Sequence, residues 1–164
     1  MKKECYVSLM NYFRLNTKLC RILVVIEKGL EISTVIAYLV LLSILLFQNI
    51  NFAFRSAITS LLALTFCTIL RKKIHSPRPY ELFGTPSVMG KTKKGESFPS
   101  RHLTSISVIS ISFLYIFVPL GITFLAASLI MATLRVLLGA HFIKDVSVGA
   151  IIGWLFGIIG IYLI

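Results

Sequence analysis

The sequence predicts an all-α integral membrane protein, with about five transmembrane helices and an interfacial amphipathic helix at the N-terminus. Three observations predict it. The chain has 164 residues and is 57% hydrophobic, with a mean hydropathy of +0.90, and a soluble domain of that size could not bury so much apolar surface. The apolar residues fall into long runs that approach the roughly 20 residues a span needs. The net charge of +11 is carried mainly by residues 2–28 and 71–101, so the apolar runs are nearly free of Lys and Arg.

The elements follow in order. In residues 1–28, Arg14, Lys18, Arg21 and Lys28 interrupt Leu15, Leu19, Ile22, Leu23, Val25 and Ile26. That alternation suits a basic amphipathic helix lying in the interface better than a span. The segment is therefore set apart from a membrane domain over residues 29–164. The first long apolar run begins only near Glu31 and lacks a small-residue cleavage pattern, so no cleavable signal peptide is expected. Spans are expected over Ile32–Phe47, Phe52–Leu70 (with Arg55 near one end, able to snorkel), His102–Val118, Ile122–Leu138 and Val146–Ile164. Pro119-Leu120-Gly121 reads as the turn between the third and fourth. Lipid forces such segments to be helical, because each backbone group must find its partner internally.

Residues 71–99 form the one long polar segment, with Pro77, Pro79, Pro86, Gly84, Gly90, Gly95 and the run Lys91-Thr92-Lys93-Lys94. This is loop chemistry, and a loop this long in a compact protein is more often functional than idle. Nucleic acid is a poor partner, because the basic segments flank membrane spans; anionic headgroups and phosphorylated substrates fit better. Cys5, Cys20 and Cys67 have no metal-like spacing and imply no disulfide framework.

Three segments carry the chemistry. The first contains Arg71, Lys72 and Arg78; the second is Phe98-Pro99-Ser100-Arg101-His102; the third holds Arg135, His141 and Asp145. Successive spans alternate direction, so all three segments reach the same face. Guanidinium forks at Arg71, Arg78 and Arg135 match phosphate oxygens. Ser100 is suited to cap a helix whose free amide groups attract an anion, with His102 in the first turn. His141 and Asp145 are four apart, so a helical turn puts them on one face, and a carboxylate there would orient the imidazole. The structural alternatives are a positive-inside basic loop, which is preferred for Lys91, Lys93 and Lys94, a plain helix cap at Ser100, and an interfacial His141–Asp145 pair. His75 reads as a loop residue.

Together these residues resemble the type 2 phosphatidic acid phosphatase (PAP2) superfamily of membrane lipid phosphatases, which shares its pocket with vanadium haloperoxidases. Its pattern is Lys, six residues, Arg-Pro; then Pro-Ser-Gly-His; then Ser-Arg, five residues, His, three residues, Asp. Arg78-Pro79, Pro99-Ser100, His102, Arg135, His141 and Asp145 match it. The resemblance spans about residues 55–160. It departs at Arg71, where the family has Lys and where adjacent Lys72 could substitute, at Arg101 for Gly, and at Leu134 for Ser. The resemblance implies His141 as nucleophile, Asp145 as its orienting partner, His102 as general acid, and Arg71 or Lys72, Arg78, Ser100, Arg101 and Arg135 around the phosphate. It implies no metal and no cofactor.

The activity implied is removal of phosphate from a lipid phosphate or polyprenyl pyrophosphate. Transfer from lipid to another acceptor, or a non-catalytic lipid-binding protein with a degenerate pocket, are the alternatives, the latter suggested by Arg101 and Leu134. The expected setting is a bacterial cytoplasmic membrane. The positive-inside rule makes the loop face cytoplasmic, but the same arginines serve the site, so charge alone does not fix orientation. Gly149, Gly153 and Gly157 recur every four residues on the last span and predict close helix packing within the monomer, with a homodimer face as the alternative.

Overall fold

The computed structural model describes residues 3–163. Met1 and Lys2, at the start of the expected N-terminal segment, and Ile164, at the end of the expected last span, lie outside the described residues. The elements are α1 (Lys3–Leu15), α2 (Thr17–Gln48), α3 (Ile50–Ile74), α4 (Pro79–Phe83), α5 (Arg101–Ile116), α6 (Val118–Leu137) and α7 (Ile143–Ile158), which runs on as a π-helical turn over Ile159–Leu163. The stretches 17–48, 50–83, 118–137 and 143–163 are long and apolar enough to cross a membrane.

The expected third span, α5, has only 16 residues. It can be short because it is the inner helix, packed against α3, α6 and α7. Leu103, Ile106, Val108, Ile109, Ile111 and Phe113 are all buried on it, along with Thr104, Ser107, Ser110 and Ser112. Most of these hydroxyls find partners locally, Ser107 Oγ being the exception. Ser105 and Ser110 donate to Arg101 O and Ser107 O at 3.0 and 2.7 Å. Ser112 accepts from Ser56 of α3 at 2.9 Å.

Between membrane helices the association comes from close packing, not from a gain in apolar burial. The α7 glycines provide it. A Cβ on Gly149 would lie 2.5 Å from Ser100 O, one on Gly153 2.5 Å from Thr104 O, and one on Gly157 2.7 Å from Ile111 Cβ. The glycine face is therefore filled by α5 inside the chain. Aromatic pairs fix the far end, with Phe113 stacked on Phe124 and Phe52 on Tyr115 at centroid distances of 4.6 and 4.7 Å. Arg55 lays its guanidinium over both Phe52 and Tyr115.

Two expected boundaries move. The helix break falls at Asn16, not after Lys28, so residues 17–28 extend the first span. A 32-residue helix is about 48 Å long, well beyond the roughly 30 Å hydrocarbon core, so its basic first turns rise past the membrane face. Helix α1 does not give its apolar face to lipid: Tyr6, Met10 and Phe13 are buried against Tyr80, with Phe83 and Val88 beside them. Pro119 makes no turn. The chain reverses at Phe117, and Pro119 sits in the first turn of α6, where its missing N–H costs nothing.

Candidate active site

The site is assembled where α3 ends and where α5 and α7 begin, closed by the segment between α3 and α5. That segment is irregular but tied down. Ser97 N donates to Ser76 O at 2.9 Å. Glu81 of α4 accepts from Gly95 N at 2.9 Å, and the Tyr80 hydroxyl donates to Lys93 O. These bonds deliver Glu96, Ser97 and Ser100 to fixed places.

Arg71, in the last turn of α3, is 3% exposed. It donates through Nη1 to Pro99 O at 2.8 Å and through Nη2 to Glu96 O. Arg78 donates to the same Glu96 O at 3.3 Å. Two guanidiniums from opposite ends of the α3–α4 turn are thereby brought together. Lys72 points outward and is exposed. Of the two candidates for the family lysine position, Arg71 is the buried one and Lys72 lies on the surface. Arg101 is also exposed, at the start of α5, so it borders the site and does not close round the buried arginines. Lys91, Lys93 and Lys94 are exposed as the basic-loop reading has them. The Lys93 ammonium lies 2.8 Å from Glu96 and holds that carboxyl below its ordinary range. His75 is an exposed residue at the end of α3.

The third segment brings His141 and Asp145 together, but not on one helical turn: His141 lies in a bend two residues before α7, with Phe142 as the residue that caps the helix. The Gly139 turn (φ +74°) leads into His141, and α1 leans directly on it: a Cβ at Gly139 would meet Met10 Sδ at 2.8 Å and the Tyr6 hydroxyl at 2.9 Å. Asp145 stands in the first turn of α7, where its carboxylate accepts from Phe142 N at 2.9 Å and meets the positive end of the helix. Its Oδ2 lies 3.5 Å from His141 Nδ1. Ser97 Oγ fills the angle between them, donating to Asp145 Oδ2 and lying 3.5 Å from the same ring nitrogen. His141 is 1% exposed and Asp145 fully buried. Burial pushes the His141 imidazole down to about 4, Asp145 pulls the other way, and Arg78 and Arg135 add to the lowering. At neutral pH the ring is uncharged and keeps a lone pair on the nitrogen that does not face Asp145.

Ser100 occupies the position before α5, but its side chain makes no capping bond. Its N–H donates to Asp145 O at 2.9 Å, tying the α5 and α7 starts together. Its Oγ is buried without a partner, as are Arg78 Nε, Arg135 Nε and Asp145 Oδ1. Four buried polar atoms without a protein partner, two of them cationic, therefore lie in this region.

Sequence reasoning missed four contributors. Ser97 is one of many serines, and its local pattern does not set it apart. Glu96 was hidden in the basic loop. Glu27 and Glu31 lie on α2. Arg135, 1% exposed, is paired with Glu27, and its Nη2 lies 3.1 Å from Glu31 Oε2. His102 Nε2 donates to Glu31 Oε1 at 3.0 Å. A signal existed for this pair: two carboxylates one helical turn apart within an apolar run, in a chain with six acidic residues.

A cavity of about 300 Å³ opens beside His102 between α2, α3 and α5. Glu31, Arg101 and His102 are its charged and titratable lining, and Val35, Leu64 and Ile109 are part of its apolar wall.

The fold is one of packed apolar helices, with arginines, two histidines each facing a carboxylate, and a buried aspartate gathered at one end. The comparison with protein families makes the class specific. The PAP2 superfamily model matches residues 52–164, and the chain belongs to that superfamily, whose members are generally phosphatases. No curated protein matches the chain, and no solved structure matches it.

Proposed function

We propose that the protein is a membrane lipid phosphatase that works through a phosphohistidine on His141, without a metal. The observation that carries the reading is the convergence of Arg71, Arg78, Arg135, His102, His141 and Asp145, from three separate segments, at one end of the helix bundle. The uncharged His141 ring supplies the nucleophile. Its free nitrogen forms the N–P bond as the P–O bond to the leaving group breaks. The electron pair goes to the leaving oxygen, which takes a proton from His102. Asp145 faces the other ring nitrogen and balances the positive charge that develops on the imidazole. The arginines meet the charge on the non-bridging oxygens, with Ser100 Oγ and the first amides of α5 in support. Water then attacks phosphorus, passes a proton back to His102, and the N–P electron pair returns to His141.

The cavity beside His102 supports a lipid substrate: it joins Glu31, Arg101 and His102 to an apolar wall, which suits an ester with its phosphate at the helix ends and its chain along that wall. The setting proposed is a bacterial cytoplasmic membrane.

The test is phosphate release by the purified full chain in detergent with EDTA present. Phosphatidate, phosphatidylglycerol phosphate and undecaprenyl pyrophosphate are offered in parallel, with His141→Ala as control. Release that disappears in the variant is expected. Release that survives the variant, or that EDTA abolishes, overturns the mechanism.

A further inference from the structure

The family match begins at residue 52, yet two residues of α2, before that point, reach into the site. Glu31 stands between its two halves: Oε1 accepts from His102 Nε2 at 3.0 Å, and Oε2 lies 3.1 Å from Arg135 Nη2. Glu27, one turn earlier and 1% exposed, pairs with the same guanidinium. We propose that Glu31 is a positioning residue for the general acid: it holds the His102 ring, fixes which nitrogen serves the leaving group, and stabilises the imidazolium before proton transfer. This rests on the phosphatase reading above.

The argument is one of chemistry and geometry. An ionised carboxylate oxygen only accepts, so Nε2 carries a proton and Nδ1 is left to serve the leaving oxygen. A histidine that protonates an alkoxide must hold a second proton, and a carboxylate against its far nitrogen favours that state. The His141–Asp145 pair does the same for the nucleophile, so the site contains two histidine–carboxylate pairs with different tasks. The tasks are separated by surroundings: His141 is 1% exposed, whereas the side chains of His102 and Glu31 are 31% and 41% exposed and face the cavity where the alcohol departs. Glu27 leaves Arg135 with a buried carboxylate of its own, so removing the charge of Glu31 does not strip the guanidinium bare.

General-acid help matters in proportion to how poor the leaving group is. A diacylglycerol alkoxide needs the proton; nitrophenolate departs nearly unaided. The experiment compares kcat for phosphatidate and for p-nitrophenyl phosphate in the wild-type chain, Glu31→Gln and His102→Ala. Glu31→Gln keeps the size of the side chain and an acceptor oxygen. The expected result is a loss at least about tenfold greater on phosphatidate than on p-nitrophenyl phosphate, with His102→Ala showing the same selectivity more strongly. Equal losses on both esters, or no loss on either, would overturn the inference while leaving the phosphatase reading intact. Wild-type protein that releases phosphate from neither ester would overturn both.

Discussion

At the scale of the residue, the account turns on what surrounds His141. Its ring is enclosed, faces Asp145 and Ser97, and has a pKa of about 4 because burial disfavours the charged form. Histidine-labelled protein in micelles should therefore show one ring that stays neutral on acidification until about pH 4. A ring that charges between pH 6 and 7 would mean that His141 meets water. Asp145→Asn should move that titration lower still, because the carboxylate is what favours the imidazolium. Ser97 gives a second prediction. Its hydroxyl donates to a buried ionised carboxylate, a bond worth about 1.5–3 kcal/mol. Ser97→Ala should lower kcat/KM by about 10- to 100-fold, since each 1.4 kcal/mol is a factor of ten. Phosphate-release kinetics check it, and an unchanged kcat/KM would mean that Asp145 is held well enough by Phe142 N alone. His141 and Asp145 were legible in the sequence because an imidazole and a carboxylate so near in the chain can meet; the helical turn expected to join them is instead a bend that leads into α7. Ser97 was not, because only the path of the loop after Gly95 brings it there.

At the scale of the element, the most demanding contact is α5 against α7. Gly149 and Gly153 face backbone atoms at the start of and along α5, and Gly157 faces the Ile111 side chain, each too close for a side chain of its own. Gly153→Ala should cost about 1–3 kcal/mol, the range for overpacking a tight core, and should lower the thermal midpoint in detergent. Gly29→Ala is its control: nothing lies within 4 Å of that position on exposed α2, so the change should be neutral or stabilise by up to about 1 kcal/mol. Equal behaviour of the two variants would contradict the packing. The helices themselves were readable from apolar run length, since lipid leaves the backbone no other choice. Their ends were less readable. The α2 start lies at Thr17 because α1 and the loop supply a protein surface above the membrane for the basic turns to join. Hydropathy counts only the lipid part of a helix and placed that start much later.

At the scale of the whole molecule, the fold brings three distant segments and one early helix to a single end of the bundle, with a cavity between α2, α3 and α5 beside it. Alternation of spans predicts the convergence of the three segments. It says nothing about which helices flank them, so the spacing of Glu27 and Glu31 marked them as unusual in an apolar run, and only the packing of α2 beside α5 and α6 showed what they face. The cavity makes its own prediction. Val35 is exposed on its wall, so on the proposed lipid path Val35→Trp should reduce turnover of a long-chain lipid phosphate about tenfold. Turnover of p-nitrophenyl phosphate, which has no chain to place, should change far less. Equal effects on the two would argue against the cavity as the lipid path. The most direct test of the central claim is to quench the enzyme during turnover of ³²P-labelled lipid phosphate and locate the label. The account predicts an alkali-stable, acid-labile phosphate on the peptide carrying His141, absent from His141→Ala. Label on any other residue, or full turnover by His141→Ala, would contradict it.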